Sequence, residues 1–194
     1  MKLYDFQKEK YKERVLKKLI QAVWNAVRGR KVRNLPTLII LCLCLLIAHF
    51  LPSPQREMVT GYATVIDGDT LQINGLKFRL YGIDAPESKQ TCQRKNHVYS
   101  CGQEATLALE SLVLNQLVTC EKEDIDKYNR IVAICRVGEK ELNKVMVANG
   151  YAVSYRQYTG RYIVDEMKAR LNEAGIWSGS FEMPWEYRHK KKQP

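Results

Sequence analysis

Three short stretches of the 194-residue chain gather acids and arginines where strands should end. The first is "VIDGDT" (65–70), with Asp67 and Asp69 around Gly68. The second is "FRLYGIDAPES" (78–88), with Arg79, Asp84 and Glu87 on either side of Pro86. The third is "DKYNR" (126–130), with Asp126, Lys127, Tyr128 and Arg130. Singly each reads as a polar turn, because Asp, Asn and Pro favour turns for local reasons. Jointly they assemble a chemistry. Hard divalent cations take carboxylate and carbonyl oxygens, and Ca²⁺ accepts irregular geometry. Two arginines beside such an ion suit a phosphodiester, since they can bind its oxygens and stabilise the pentacoordinate anion. A further carboxylate, Glu87, can orient or deprotonate water.

These groups must be brought together by strands. "VTGYATVI" (59–66) alternates and is rich in β-branched residues; "TLQI" (70–73) and "LKFRLYGI" (76–83) follow, separated by Asn74-Gly75. Asn-Gly between alternating runs predicts a tight hairpin. In that hairpin Asp69 starts one strand and Asp84 ends the next, so the two acids lie side by side and can share one ion. "GQEATLALESLVLN" (102–115) has apolar residues at helical spacing, and residues 116–123 and 130–137 read as a fourth and fifth strand. Helices are expected over 141–150, with Gly150 as its stop, and over 160–175. Residues 88–101 read as a polar loop. The order predicts an α+β, mainly β fold: a five-stranded Greek-key barrel of the OB type with about three packed helices. No internal repeat is seen, and the segment 181–194 reads as a basic tail ending in "RHKKKQP".

The net charge is misleading taken whole. Residues 1–34 hold eleven Lys and Arg against three acids, which is +8 of the +10 total. Only +2 remains for residues 35–194, so the excess is no argument for nucleic-acid binding. The basic segment is followed by "LPTLIILCLCLLIAHFLP" (35–52). That run is short against the ~20 apolar residues of a full span. It reads as an N-terminal membrane-spanning anchor, with a cleaved signal peptide and a buried soluble helix as the alternatives; the long basic flank on one side and the lack of a small-x-small cleavage site favour the anchor. Lys and Arg flanks stay in the cytoplasm, which puts residues 1–34 inside and the remainder outside, periplasmic or at the cell surface. Within 1–34, Leu16, Leu19, Ile20, Val23, Trp24 and Val27 recur at helical spacing, as in a basic amphipathic helix on an anionic membrane; a solvated tail explains them equally. Residues 53–57 are a linker and 58–180 the expected globular domain.

Four cysteines fall in that domain, an even number suited to an exported, disulfide-bonded fold. Cys92 and Cys101 enclose the polar loop. Cys120 and Cys135 flank a hairpin whose symmetric centre lies between Lys127 and Tyr128; direct opposition there sets Cα atoms ~4.5–5.5 Å apart, within disulfide reach. Zinc on Cys92, His97 and Cys101 is the rival, at poor spacing for a metal site, and four free thiols are the third reading.

Taken in order, "VIDGDT", "FRLYGIDAPE", "GQEA", "DKYNR", "LNKVMVANGYA" and "AGIWS" resemble the staphylococcal nuclease (thermonuclease) family over residues 58–180. The resemblance implies an OB-type barrel and a Ca²⁺-dependent phosphodiesterase acting on DNA and RNA, leaving 3′-phosphate ends. It implies Asp69, Asp84 and the backbone carbonyl of Ala85 as metal ligands, Ala85 standing where the family often has threonine. It implies Arg79 and Arg130 at the phosphate, Glu87 as the catalytic glutamate that activates water and Asp67 as a supporting acid. It further implies Lys127 and Tyr128 near the substrate's terminal phosphate and Tyr158 near the nucleotide. Asn129 replaces a frequent glycine, and the cysteine-bearing loop 88–101 departs from the archetype. The expected species is a monomer. The competing functions are a catalytically silent nucleic-acid-binding or scaffolding module, and a membrane-associated interaction protein using residues 1–34.

Overall fold

A computed structural model of the chain describes residues 56–190, together with Lys17, Lys18, Gln21 and Leu43. The expected basic segment 1–34 and apolar segment 35–52 lie, those four residues apart, outside the described residues. Among the described residues no helix is long and apolar enough to cross a membrane. Everything below concerns the unit Arg56–Pro194.

The unit opens with β1 (Met58–Asp67), β2 (Thr70–Ile73), β3 (Leu76–Leu80) and the two-residue β4 (Ile83–Asp84). A small hairpin follows, β5 (Cys92–Arg94) and β6 (His97–Tyr99), then helix α1 (Cys101–Val113). Next come β7 (Leu117–Ile125), β8 (Ile131–Val137), β9 (Lys140–Glu141) and α2 (Leu142–Ala148). The chain ends with β10 (Val153–Ser154), α3 (Ile163–Leu171), a 3₁₀ turn (Gly175–Ser178) and α4 (Pro184–Lys190).

The strand order β3-β2-β1-β7-β8 closes on itself through β3–β8, giving the expected five-stranded barrel. Four of its pairings are antiparallel, as the sequence pattern requires. The closing one is parallel, with Arg79 opposite Val132. A parallel closure was not foreseen, since alternation marks a strand but not the direction of its partner. Asn74 and Gly75 both take positive φ, 51° and 79°, which is what the tight β2–β3 turn demands. That turn sets Thr70 opposite Arg79 and so fixes the hairpin's site end.

Leu71, Ile73, Phe78, Leu80, Val118 and Ala133 fill the barrel, and α1 covers one end through Ala105, Leu109 and Val113. Burying a Leu or Phe side chain contributes ~1.5–3 kcal/mol each. Gly68, in the β1–β2 turn, must lack a side chain: a Cβ there would meet those of Ala85 and Ala105 at 2.8 Å. The acidic turn is thus pressed against both α1 and the strand end that carries Asp84.

Two expectations are corrected. Residues 88–101 are not merely a polar loop; β5 and β6 pair there, and the Cys92–Cys101 disulfide closes the hairpin. The segment 181–194 is not simply a tail. A second apolar cluster, made of Cys92, Cys101, Val153 and Ile176, draws in Phe181, Met183 and Trp185. Pro184, whose ring pre-sets helical φ, then starts α4. The run of Lys and Arg at its end makes the segment look like a tail, but its aromatic residues decide its structure. Residues 56–190 therefore hold four α-helices where about three are expected.

Both disulfides pair as expected. Cys120 and Cys135 are directly opposed, with Cα atoms 4.0 Å apart. A register shift between Lys122 and Asp124 moves the hairpin tip by one residue without disturbing that pair. With Cys92 bonded to Cys101 and His97 on the surface, the zinc reading falls, as does that of free thiols.

Candidate active site

The β1–β2 turn and the ends of β3 and β4 converge as their sequence suggests. Arg79 lies between the two aspartates: its Nη1 donates to Asp69 Oδ1 and its Nη2 to Asp84 Oδ1, both at 2.7 Å. Asp69 also accepts from the Thr70 hydroxyl at 3.0 Å and from the Ala85 backbone N–H at 3.1 Å. Asp84 is held by backbone pairing of β4 with β10, opposite Val153. Its side chain is 0% exposed and that of Asp69 6%. Carboxylates this deep lose several kcal/mol of hydration unless they are paired, so the arginine is a condition of their burial.

A second arginine completes the pairing. Arg188, from α4, donates Nη2 to Asp84 Oδ2 at 2.7 Å and Nη1 to Asp84 Oδ1 at 3.0 Å. The same Nη1 reaches Glu87 Oε1 at 2.8 Å. Both oxygens of Asp84 are therefore engaged by guanidinium groups. Burial opposes the charge of Arg79 and of Arg188, but their carboxylate partners outweigh it and raise both pKa values. Burial pushes Asp84 up, with neighbouring Asp69 adding to the effect and Arg188 and Arg79 opposing it. Asp67 lacks an arginine partner among the bonds described; burial first, then the charge of Asp69, lifts its carboxyl to about 6.

Glu87 is placed by its backbone. Its N–H donates to Gln90 Oε1 at 3.1 Å, and Gln90 Nε2 donates to the Glu182 carbonyl at 2.7 Å. Gln90 is fully buried. One amide side chain thus ties the Glu87 loop to the segment that carries α4. The same loop packs on the start of α1, where a Cβ at Gly102 would lie 1.8 Å from the Glu87 carbonyl oxygen.

Arg130 arrives from the other side of the barrel mouth. Asp126 folds the hairpin tip around itself, accepting from the backbone N–H groups of Tyr128 (2.9 Å) and Arg130 (3.0 Å). Asn129 supplies the left-handed residue at φ 62°. Asp126 Oδ2 then takes the Arg130 Nε at 2.8 Å, which orients the guanidinium toward Thr70 Oγ1 at 3.4 Å. Burial works against ionisation of Asp126, but these hydrogen bonds win and hold its pKa below the ordinary range. The Tyr128 ring lies beneath both Lys127 (5.1 Å) and Arg130 (5.5 Å), a cation–π arrangement.

A cleft of about 720 Å³ joins these groups; Asp67, Asp69, Arg79, Ala85, Glu87, Lys127, Tyr128, Arg130 and Tyr158 all line it. Asp84 lies behind the lining and meets the cleft through Arg79 and Arg188. Tyr158, 66% exposed, stands at the rim. Tyr155 lies against it at 4.9 Å and stacks on Trp185 at 6.0 Å. Sequence reasoning passed over Tyr155, Trp185, Arg188 and Gln90 as members of this neighbourhood. A proline followed by tryptophan inside the basic tail was the one available signal for the α4 pair.

The donor chemistry fits a hard divalent cation in that two buried carboxylates, Asp69 and Asp84, flank a single guanidinium. Among the described residues no three His, Cys, Asp or Glu side chains stand together as a ready metal cage. The fit requires oxygens of Asp84 that arginines now hold.

Residues 77–179 match the model of the family described as "Staphylococcal nuclease homologue". The chain is 37% identical over 125 residues to the "Succinoglycan biosynthesis protein ExoI" of Rhizobium meliloti, covering 62% of this chain and 65% of that protein. It is 32% identical over 135 residues to an "Uncharacterized endonuclease" of Escherichia coli, covering 66% of this chain and 82% of the relative. A Haemophilus influenzae protein of that same description is 30% identical over 163 residues, covering 79% of this chain and 86% of the relative. Barrel, cleft and these likenesses agree: the chain belongs to the staphylococcal nuclease family.

Proposed function

We propose that this chain is a Ca²⁺-dependent nuclease that hydrolyses phosphodiester bonds of DNA, RNA or both and leaves 3′-phosphate ends. It is a hydrolase of the nuclease class, as relatives named endonuclease support. The observation that carries the finer reading is the meeting of Asp69, Arg79, Glu87 and Arg130 around one cleft, although they come from three separate stretches of sequence. Arg79 and Arg130 grip the scissile phosphate and stabilise the pentacoordinate anion. Glu87 orients the attacking water and accepts its proton, and the bond from phosphorus to the 5′ oxygen breaks, that oxygen leaving as an alcohol with a proton drawn from solvent. Asp69, Asp84 and the Ala85 carbonyl would hold Ca²⁺, which when bound supplies Lewis-acid neutralisation of the phosphate. Asp67 supports the acidic turn. Lys127 and Tyr128 flank the terminal phosphate, and Tyr158 the nucleotide. The chain acts as a monomer, anchored through residues 35–52 with its enzyme domain outside the cytoplasm; two disulfides suit an oxidising compartment.

The test uses the full chain, purified in detergent, with plasmid DNA and RNA substrates. Cleavage should require Ca²⁺ and stop with chelator. Glu87→Gln, Arg79→Ala and Arg130→Ala should each reduce turnover by ~10²-fold or more. Unchanged turnover in all three sinks the assignment, and binding without cleavage by the wild type leaves the silent module standing.

A further inference from the structure

Arg188 lies beyond the segment that the family model matches, which ends at residue 179. Yet it makes three contacts at the site, two to Asp84 at 2.7 and 3.0 Å and one to Glu87 at 2.8 Å. It thereby covers a buried carboxylate assigned above to a cation and an acid assigned to water. We propose that Arg188 belongs to the site and sets its affinity for divalent cation, guanidinium and cation competing for Asp84 and Glu87. The inference rests on the Ca²⁺-dependent reading given above.

Geometry supports this. Asp84 Oδ2 has Arg188 as its donor, and Oδ1 is shared between Arg79 and Arg188. A cation that takes the outer face of Asp84 must therefore displace Arg188, whereas Arg79 can remain on Asp69.

The helix is built to let go. α4 has seven residues, too short to hold its own helical form without tertiary contacts. Apart from Arg188, its described ties are buried Pro184, Trp185 against Tyr155 and the second apolar cluster, the Tyr187 hydroxyl on the Lys89 carbonyl at 3.2 Å, and the Lys190–Glu182 ion pair at 2.7 Å. The Arg188 side chain is 33% exposed, so water can follow it out. Because competition is reciprocal, cation binding must loosen α4 as much as α4 weakens cation binding.

The test measures Ca²⁺ binding by titration calorimetry on the full chain without nucleic acid, for the wild type, Arg188→Lys and Arg188→Met. Arg188→Met should bind Ca²⁺ about tenfold tighter or more, with Arg188→Lys between it and the wild type. In the wild type, saturating Ca²⁺ should raise hydrogen exchange across 184–190, a readout that needs no variant and survives any folding defect. Equal or weaker binding by Arg188→Met, or unchanged protection of α4 with Ca²⁺ bound, overturns the proposal. If the wild type still cleaves nucleic acid with Ca²⁺ in that case, the nuclease reading stands alone. If the wild type binds no Ca²⁺, the Ca²⁺-dependent reading and this proposal fall together.

Discussion

Replacing Gln90 with methionine tests whether the Glu87 loop is positioned by a single buried amide. The two side chains are similar in length, so the core keeps its volume and the change is confined to hydrogen bonding. Two bonds disappear, from the Glu87 N–H at 3.1 Å and to the Glu182 carbonyl at 2.7 Å. Each orphaned group costs ~1–3 kcal/mol if it stays dry, and the thioether recovers part of that by burial. A net loss of ~2–3 kcal/mol in urea unfolding is expected. Turnover should suffer separately. The loop then loses its buried tie to the α4 segment and keeps only the more exposed contacts of Arg188 with Glu87 and of Tyr187 with Lys89, and a displacement of ~1 Å at a catalytic group can cost ~10²-fold. Gln90→Met should therefore lower kcat by between ten- and a hundredfold under conditions where the protein is fully folded. Combined with Glu87→Gln, it should cost little more than Glu87→Gln alone, because both act on the same group. A stability loss with undiminished kcat would refute the positioning argument, and additive losses in the double variant would show that Gln90 acts elsewhere.

The two disulfides should divide stability from function. Cys120→Ser with Cys135→Ser opens a loop of sequence separation 15 and should cost ~3 kcal/mol in urea unfolding, leaving kcat within a fewfold. Cys92→Ser with Cys101→Ser opens one of separation 9 and should cost slightly less stability but much more turnover, because that hairpin bonds Ser180 through Gln93 and so supports α4. The reverse pattern of turnover losses would contradict the placement of the site. Asp67 predicts a pH effect. Its carboxyl moves from the ordinary 3.8 to about 6, so between those values the folded protein keeps a proton that the unfolded chain has lost. That contribution to stability is present at low pH and lost as pH rises through about 6, by up to ~3 kcal/mol. Asp67→Asn can still accept the Asp69 N–H; with chelator present it should stabilise the protein at pH 8 and hardly at all at pH 4. An equal effect at both pH values would refute the assignment.

The site was legible in sequence where it is built from local pieces. Asn74-Gly75 fixes its own turn, and that turn alone brings Asp69 and Thr70 beside Arg79. Cys120 and Cys135 are symmetric about a hairpin, so spacing sufficed. Asp126 and Arg130 are four positions apart and bond directly. What spacing does not encode is a partner chosen by tertiary packing. Arg188 is 104 positions from Asp84, inside a run of basic residues that any composition rule assigns to solvent. Gln90 looked like one more polar loop residue, because a buried amide differs from an exposed one only in what surrounds it. Tyr155 and Tyr158 sit three positions apart, and only the fold reveals that Tyr155 takes the inner place against Trp185.

The parallel closure of β3 on β8 also carries a consequence for the order in which the molecule assembles. The β1–β2–β3 meander needs only neighbours in sequence, so its ends meet at small loop-closure entropy. It brings Asp67 and Asp69 together with Arg79, whereas Asp84 is fixed only when β4 pairs with β10. The β3–β8 pairing joins residues more than 50 positions apart, such as Phe78 and Ile131, and Arg188 must travel farther still. High-contact-order pairings form slowly. On contact order alone, the acidic turn of Asp67 and Asp69 is expected to form before Arg130 and Arg188 reach it. Arg79, within the hairpin itself, is the only one of the three arginines present from the start, and it carries the mutual repulsion of the acids until the far ends of the chain arrive.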